Sequence, residues 1–271
     1  MLDAFLDLAA RLAPLSFIVG VVMLLAGGHW LVEGSVAIAR RLGMSTLLIG
    51  LTIVACGTSA PELFFNVAAA ISGQGDLSFG NVVGSNIANL GLVLGAAAFV
   101  APLAVHRSVL RRDLPILLVA SALLPLLAWL PASRPGPNDS GFGWIDGIIL
   151  LACFIGVLGA WIISAIRGGA EVPVDVSEVD QTPERPLGVA SLLFAAGLAT
   201  LIVGGKGAEI GATGIARAAG LSPGVIGLTI VAVATSLPEV VTSVVAVRRG
   251  HADLAVGNVV GSNLFNILFV L

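Results

Sequence analysis

The chain says one unusual thing twice. GLTIVACGTSAPE at Gly50–Glu62 returns as GLTIVAVATSLPE at Gly227–Glu239, and GNVVGSNIAN at Gly80–Asn89 returns as GNVVGSNLFN at Gly257–Asn266, both 177 positions later. Each copy sets a glutamate inside a strongly apolar stretch. A carboxylate in membrane-spanning sequence is expensive to keep, and one kept in duplicate points to cation binding. Duplication for packing alone accounts for repeated Gly and Ala, but not for repeated Glu62 and Glu239.

Composition puts those stretches in a bilayer. The chain is 57% hydrophobic and 11% charged, where a soluble domain carries roughly 25% charged residues. About eight spans are expected, at 15–39, 45–72, 79–101, 112–130, 144–166, 187–215, 222–247 and 254–271. The fold class is therefore an all-α polytopic membrane protein. Its expected organisation is a first five-span half at 1–166 with repeat 1 at 50–95, an acidic linker at 167–186, and a second half at 187–271 with repeat 2 at 227–271. Pro131–Gly143 and Gly168–Pro186 read as linkers, the second as a solvated acidic loop. Cys56 and Cys153 give no disulfide framework, and the acidic N-terminus does not read as a signal peptide.

Five spans separate the starts of the two copies, so the copies cross the membrane in opposite directions. The repeat extends upstream, where Gly27-Gly28 matches Gly204-Gly205, Ala39-Arg40 matches Ala216-Arg217, and Gly43 matches Gly220. Inverted repeats of this kind enclose a site near the bilayer midplane, built from discontinuous helices. With the N-terminus outside, the inner connections hold Arg40, Arg41, Arg107, Arg111, Arg112, Arg167, Arg185, Arg248 and Arg249, against Arg11, Arg134 and Arg217 outside. That bias favours the N-out orientation.

Pro61 and Pro238 each fall within a span, where proline removes a donor and clashes with the carbonyl four residues back. Thr58, Ser59 and Glu62 lie within about one turn of the first break, and Thr235, Ser236 and Glu239 within about one turn of the second. Ser85 and Asn89 share a helix face, as do Ser262 and Asn266, whereas Asn86 and Asn263 point about 100° away, toward helix contacts. Hydroxyls, carboxylates and freed carbonyls are hard oxygen donors that suit calcium, and sodium by the same logic. Two carboxylates neutralise one divalent or two monovalent cations, and protons could replace sodium at the same groups. An empty, ionised pair is costly, which is the condition for obligatory exchange.

These motifs resemble the alpha-repeats of the calcium/cation antiporter superfamily, in its sodium/calcium exchanger branch. GTSAPE and ATSLPE, followed by GNVVGSNIAN and GNVVGSNLFN, carry the resemblance. It implies an antiporter that exchanges Ca2+ for several Na+ by alternating access. On this chain it implies Glu62 and Glu239 as the main calcium ligands. Ser59, Ser236, Ser85, Ser262 and Asn89 would serve sodium sites, and backbone oxygens near Ala55, Thr58, Ala232 and Thr235 would complete the shell. Asn266 departs from relatives that carry Asp there. The family plan of ten spans in two five-span halves implies that this sequence stops inside its eighth, lacking the last two.

A proton-coupled exchanger and a non-transporting cation-binding fragment are the alternatives. No HExxH or GxSxG motif is present, so an enzyme is not expected. The expected partners are the transported ions and the lipid bilayer, with no nucleic acid and no cofactor. The Ala/Arg-rich composition points to a prokaryotic inner membrane. His29, Glu33, Lys206 and Glu209 read as crevice or interface residues.

Overall fold

A computed structural model describes residues 2–103, 105–129, 142–167, 184–222 and 232–271. Most of both linkers, the first residues of the span at 222–247 and the GLTIV stretch of the second repeat lie outside the described residues. All regular structure among the described residues is helical. Helix α1 is Leu2–Leu42. Helix α2, Thr46–Thr58, and helix α3, Ala60–Ile71, are bent by 45° at Ser59. Helix α4 begins at Gly75–Ala88 and runs through a π-helical turn at Asn89–Val93 into Leu94–Val100. Helix α5 starts as a π turn at Val109–Asp113 and continues over Leu114–Trp129, and α6 is Trp144–Arg167. Then follow α7, Leu187–Ala218, the short α8, Ala232–Thr235, and α9, Leu237–Arg248. Helix α10, Ala252–Phe265, ends in a π turn at Asn266–Val270, the repeat counterpart of that at Asn89–Val93.

Five helical stretches are long and apolar enough to cross a membrane singly, and α2 with α3 forms a sixth, broken span. The span expected at 112–130 is the shorter α5. Helix α10 is buried nearly throughout, while α6 turns most of its surface outward. An apolar helix enclosed on every side is the centre of a bundle, so the second repeat's GNVVGSN helix forms the core of this one.

The duplication is written into the backbone. The glycines with left-handed φ are Gly43 and Gly220, at 64° and 81°, and Gly73 and Gly250, at 69° and 84°. The members of each pair are 177 residues apart. Each closes a helix in the same way. Met44 N–H reaches Ala39 O at 2.9 Å and Leu221 N–H reaches Ala216 O at 3.1 Å, while Gln74 and His251 make the matching bonds to Ala69 and Ala246 at 2.9 Å. This is the Schellman closure, in which a residue without Cβ turns the chain away from the helix.

Helices α1 and α7 run against one another along a glycine seam. A Cβ on Gly20 would lie 2.3 Å from Ala208 N, and one on Gly197 would lie 2.4 Å from Leu31 N. Shifting the first contact by 177 residues and exchanging the partners yields the second. Gly27 against Leu201 (2.7 Å) and Gly204 against Leu24 (2.8 Å) obey the same rule, as do Gly34 against Phe194 (2.5 Å) and Gly211 against Phe17 (2.3 Å). The two halves are therefore related by a pseudo-two-fold axis, and small residues let the backbones meet at it.

Candidate functional site

Ser59 and Ser236 mark the two breaks, with φ/ψ of −85°/8° and −89°/2°. The breaks expected around the prolines fall just before them. Pro61 and Pro238 do not kink a continuing helix; they occupy the first turn of α3 and of α9. Proline is tolerated there because its missing N–H would have had no intrahelical partner. The consequence is two fresh helix N-termini, each with a glutamate in its first turn, Glu62 and Glu239. A helix N-terminus carries partial positive charge and favours a carboxylate.

Both carboxylates are buried, each 1% exposed. Glu62 lies within coulombic reach of Glu239. Ser59 Oγ crosses between the repeats to donate to Glu239 Oε1 at 3.3 Å. From the other side, Asn266 Nδ2 donates to Ser85 Oγ at 3.1 Å, and Asn89 Nδ2 donates to Asn263 Oδ1 at 2.9 Å. Ser262 Oγ faces Ala55 O at 3.5 Å, and Thr58 Oγ1 faces the same carbonyl at 3.4 Å. Ser59, Glu239, Ser85, Asn89, Ser262, Asn266, Ala55 and Thr58 are thus joined by contacts that pass from one repeat to the other. Thr235 ends α8 beside Ser236. Ala232 opens the same helix, and its side chain lies outside the described residues.

Four polar positions join this set that the sequence reading did not single out. Thr58 Oγ1 donates to Asn258 Oδ1 at 3.1 Å, and Asn258 Nδ2 donates to Ser243 Oγ at 3.2 Å. Asn66 Nδ2 donates to Glu62 O at 2.8 Å and its Oδ1 accepts from Ser78 at 2.7 Å. A signal for three of them was present: Asn66 and Ser243 each follow a repeat glutamate by four positions, and Asn258 is the first Asn of the second GNVVGSN.

Among the described residues, Glu62 Oε2, Glu239 Oε2, Asn89 Oδ1, Asn266 Oδ1 and Ser236 Oγ are buried without a hydrogen-bond partner. Leaving such groups unmatched costs on the order of 1–3 kcal/mol each, more for a charge. Five oxygens, two of them carboxylate, are the donor set of a hard cation. No group of three or more His, Cys, Asp and Glu residues able to hold a metal ion occurs among the described residues; the unpartnered groups named here are all oxygens.

Inverted helical repeats, two broken helices and a buried acidic centre define a polytopic membrane transporter of the inverted-repeat class. The sequence profile of the family described as Sodium/calcium exchanger protein matches residues 12–163 and 189–271, and the chain belongs to that family. It is 37% identical to Inner membrane protein YrbG of Escherichia coli (strain K12), over 96% of this chain and 78% of that protein. It is 33% identical to Sodium/calcium exchanger MaX1 of Methanosarcina acetivorans, over 95% of this chain and 81% of that protein. Among solved structures it is similar to the sodium-calcium exchanger NCX_Mj soaked with Na+ and Sr2+. That match has a TM-score of 0.79 at 34% identity, covering 96% of this chain and 80% of the other.

Proposed function

We propose that the protein exchanges calcium for sodium across a prokaryotic inner membrane, by alternating access to the site between the repeats. The observation that carries this reading is the pair of buried glutamates, one per inverted repeat, each with an unpartnered Oε2, together with the unpartnered oxygens of Asn89, Asn266 and Ser236 in the same repeat motifs. Glu62 and Glu239 together neutralise one Ca2+, or two of the several Na+ that replace it. Ser59, Ser236, Ser85, Ser262, Asn89 and Asn266, with Thr58, Thr235 and the backbone oxygens near Ala55 and Ala232, complete the ion shells.

The charge balance explains why such a carrier would not leak. Moving the empty site through its occluded state carries two unscreened carboxylates through low dielectric, whereas either cation load offsets them. The helix N-termini at Glu62 and Glu239 relieve part of that cost, but not a net charge of two. The arginine distribution supports an N-out orientation, with the closed ends of α1 and α9 facing inward. The halves at 1–166 and 187–271, joined by 167–186, supply one repeat each.

The test is calcium-45 uptake into sodium-loaded proteoliposomes diluted into sodium-free buffer, at matched pH, with a parallel run under a proton gradient. Uptake that requires internal sodium is expected. Uptake driven by the proton gradient alone would transfer the protein to proton coupling. Uptake under neither gradient would leave binding without transport.

A further inference from the structure

Away from the acidic centre, the end of α1 and the segment leading into α7 enclose a cavity of about 130 Å³, lined by Ala37, Arg40, Arg41, Glu184 and Arg185. Two of its arginines are held in place. Arg185 donates from Nε and one terminal nitrogen to Glu33 Oε1 at 3.1 and 3.0 Å. Glu33 is buried at 7% exposure. Arg41 Nε donates to Arg185 O at 3.0 Å, which anchors that guanidinium through its stem side. Guanidinium groups fixed in this way bind phosphate oxygens in paired fashion, with little further entropy to lose.

We propose that this cavity binds the phosphate of an anionic phospholipid headgroup. Two features select the lipid over a free anion. The cavity sits at the last turn of the apolar stretch Leu12–Leu42, at headgroup depth rather than in bulk solvent. It lies on the arginine-rich side, where basic pockets between membrane helices meet anionic lipid. Its charges, Arg40, Arg41 and Arg185 with Arg249 on the far side of Glu33, against Glu33 and Glu184, leave the site net positive and suited to an anion. The site is also not a by-product of the duplication: Arg217 stands at the repeat position of Arg40, but Ala218 stands at that of Arg41.

The experiment is native mass spectrometry of the full chain in detergent, titrated with phosphatidylglycerol, phosphatidylcholine or inorganic phosphate. Phosphatidylglycerol retention is expected to exceed that of phosphatidylcholine, and to fall by roughly tenfold or more when two near-surface arginines are lost in Arg40→Gln with Arg41→Gln. Arg107→Gln, on the same side but outside the cavity lining, is expected to keep it. Arg40→Lys with Arg41→Lys preserves the charge without the paired donors and is expected to recover only part of the retention, and a gel-filtration profile of the double Gln variant matching that of the wild type separates lost binding from lost folding. Equal phosphatidylglycerol retention by the wild type and the double Gln variant would overturn the site. Inorganic phosphate bound in place of retained lipid would overturn the headgroup assignment.

Discussion

Asn86 and Asn263 clasp each other across the pseudo-two-fold axis. Asn86 Nδ2 donates to Asn263 O at 3.2 Å, and Asn263 Nδ2 donates to Asn86 O at 3.4 Å. The outer bonds are also reciprocal in residue pairing, with Asn89 Nδ2 on Asn263 Oδ1 and Asn266 Nδ2 on Asn86 Oδ1, at 2.9 and 3.2 Å. Each of these two asparagines therefore serves the helix contact with its donor and the repeat-end asparagine with its acceptor. Asn86→Ala and Asn263→Ala are each expected to destabilise the protein by about 1 kcal/mol, the scale of interhelical hydrogen bonds in membranes. The double variant should fall short of the sum, because the two residues share bonds. Thermal gel filtration in detergent reads both effects; additive losses would mean that the clasp is not one unit.

The carboxylates make the sharpest functional prediction. Glu62→Gln and Glu239→Gln are each expected to abolish sodium-driven calcium uptake while leaving a monodisperse, folded protein. Each removes half of the anionic charge at the centre and leaves its shape. Uptake unchanged in either variant would remove that residue from the ion shell.

Ser59 and Ser236 differ in the structure although the repeat makes them equivalent. Ser59 bonds Glu239, and Ser236 Oγ has no partner among the described residues. Under alternating access between inverted repeats the two exchange surroundings in each cycle. Ser59→Ala and Ser236→Ala are therefore expected to raise the half-saturating calcium concentration by a similar factor, roughly tenfold for a hydrogen bond lost from a carboxylate. An effect confined to Ser59 would mean that its contact persists throughout the cycle.

The sequence made the inverted repeat, the acidic pair and the hydroxyl-bearing breaks legible because each was duplicated at a fixed spacing. What it could not show was which helix each side chain meets. The 100° rotation of Asn86 from Ser85 within one helix is correct geometry and suggested a helix contact apart from the ion set. Yet a neighbouring helix brings Asn266 onto both residues, at 3.1 and 3.2 Å. The position of each break was open for a related reason. TSAPE is compatible with a kinked helix or with a new one beginning at Ala60, and only the backbone at Ser59 distinguishes them. Glu33, set aside as an interface residue, finds its partner Arg185 152 positions away, beyond the reach of any local pattern.

The glycine seam between α1 and α7 yields a paired stability prediction. Gly20→Ala would place a Cβ 2.3 Å from Ala208 N, and Gly197→Ala would place one 2.4 Å from Leu31 N. Both meet backbone, which cannot rotate aside, so the helices must separate. Each variant is expected to lose about 1–3 kcal/mol, as overpacked cores do. Gly156→Ala, whose Cβ meets nothing within 4 Å among the described residues, should be neutral or mildly stabilising through helix propensity. Comparing detergent-resistance midpoints of the three variants checks this. A Gly156 loss as large as the other two would show that α1 and α7 are no more closely fitted than the rest.

His251 sets a pH dependence at the turn between α9 and α10. It is buried at 3% exposure and its backbone N–H closes α9. Burial lowers its imidazole pKa below the ordinary 6.5, and Arg40 and Arg249 lower it further, while Asp253 opposes them. The folded state therefore favours the neutral ring, and the unfolded chain binds the proton more readily. Stability from this group is complete above about pH 6.5 and is lost as pH falls through the depressed folded value. Asp253 also accepts a hydrogen bond from Thr46, which ties this turn to the start of α2. The thermal midpoint of the wild type is expected to decline as pH falls below about 6.5, and that of His251→Gln to decline less, since the amide has no proton to take up. Parallel pH profiles for the two proteins would show that acid acts elsewhere in the molecule.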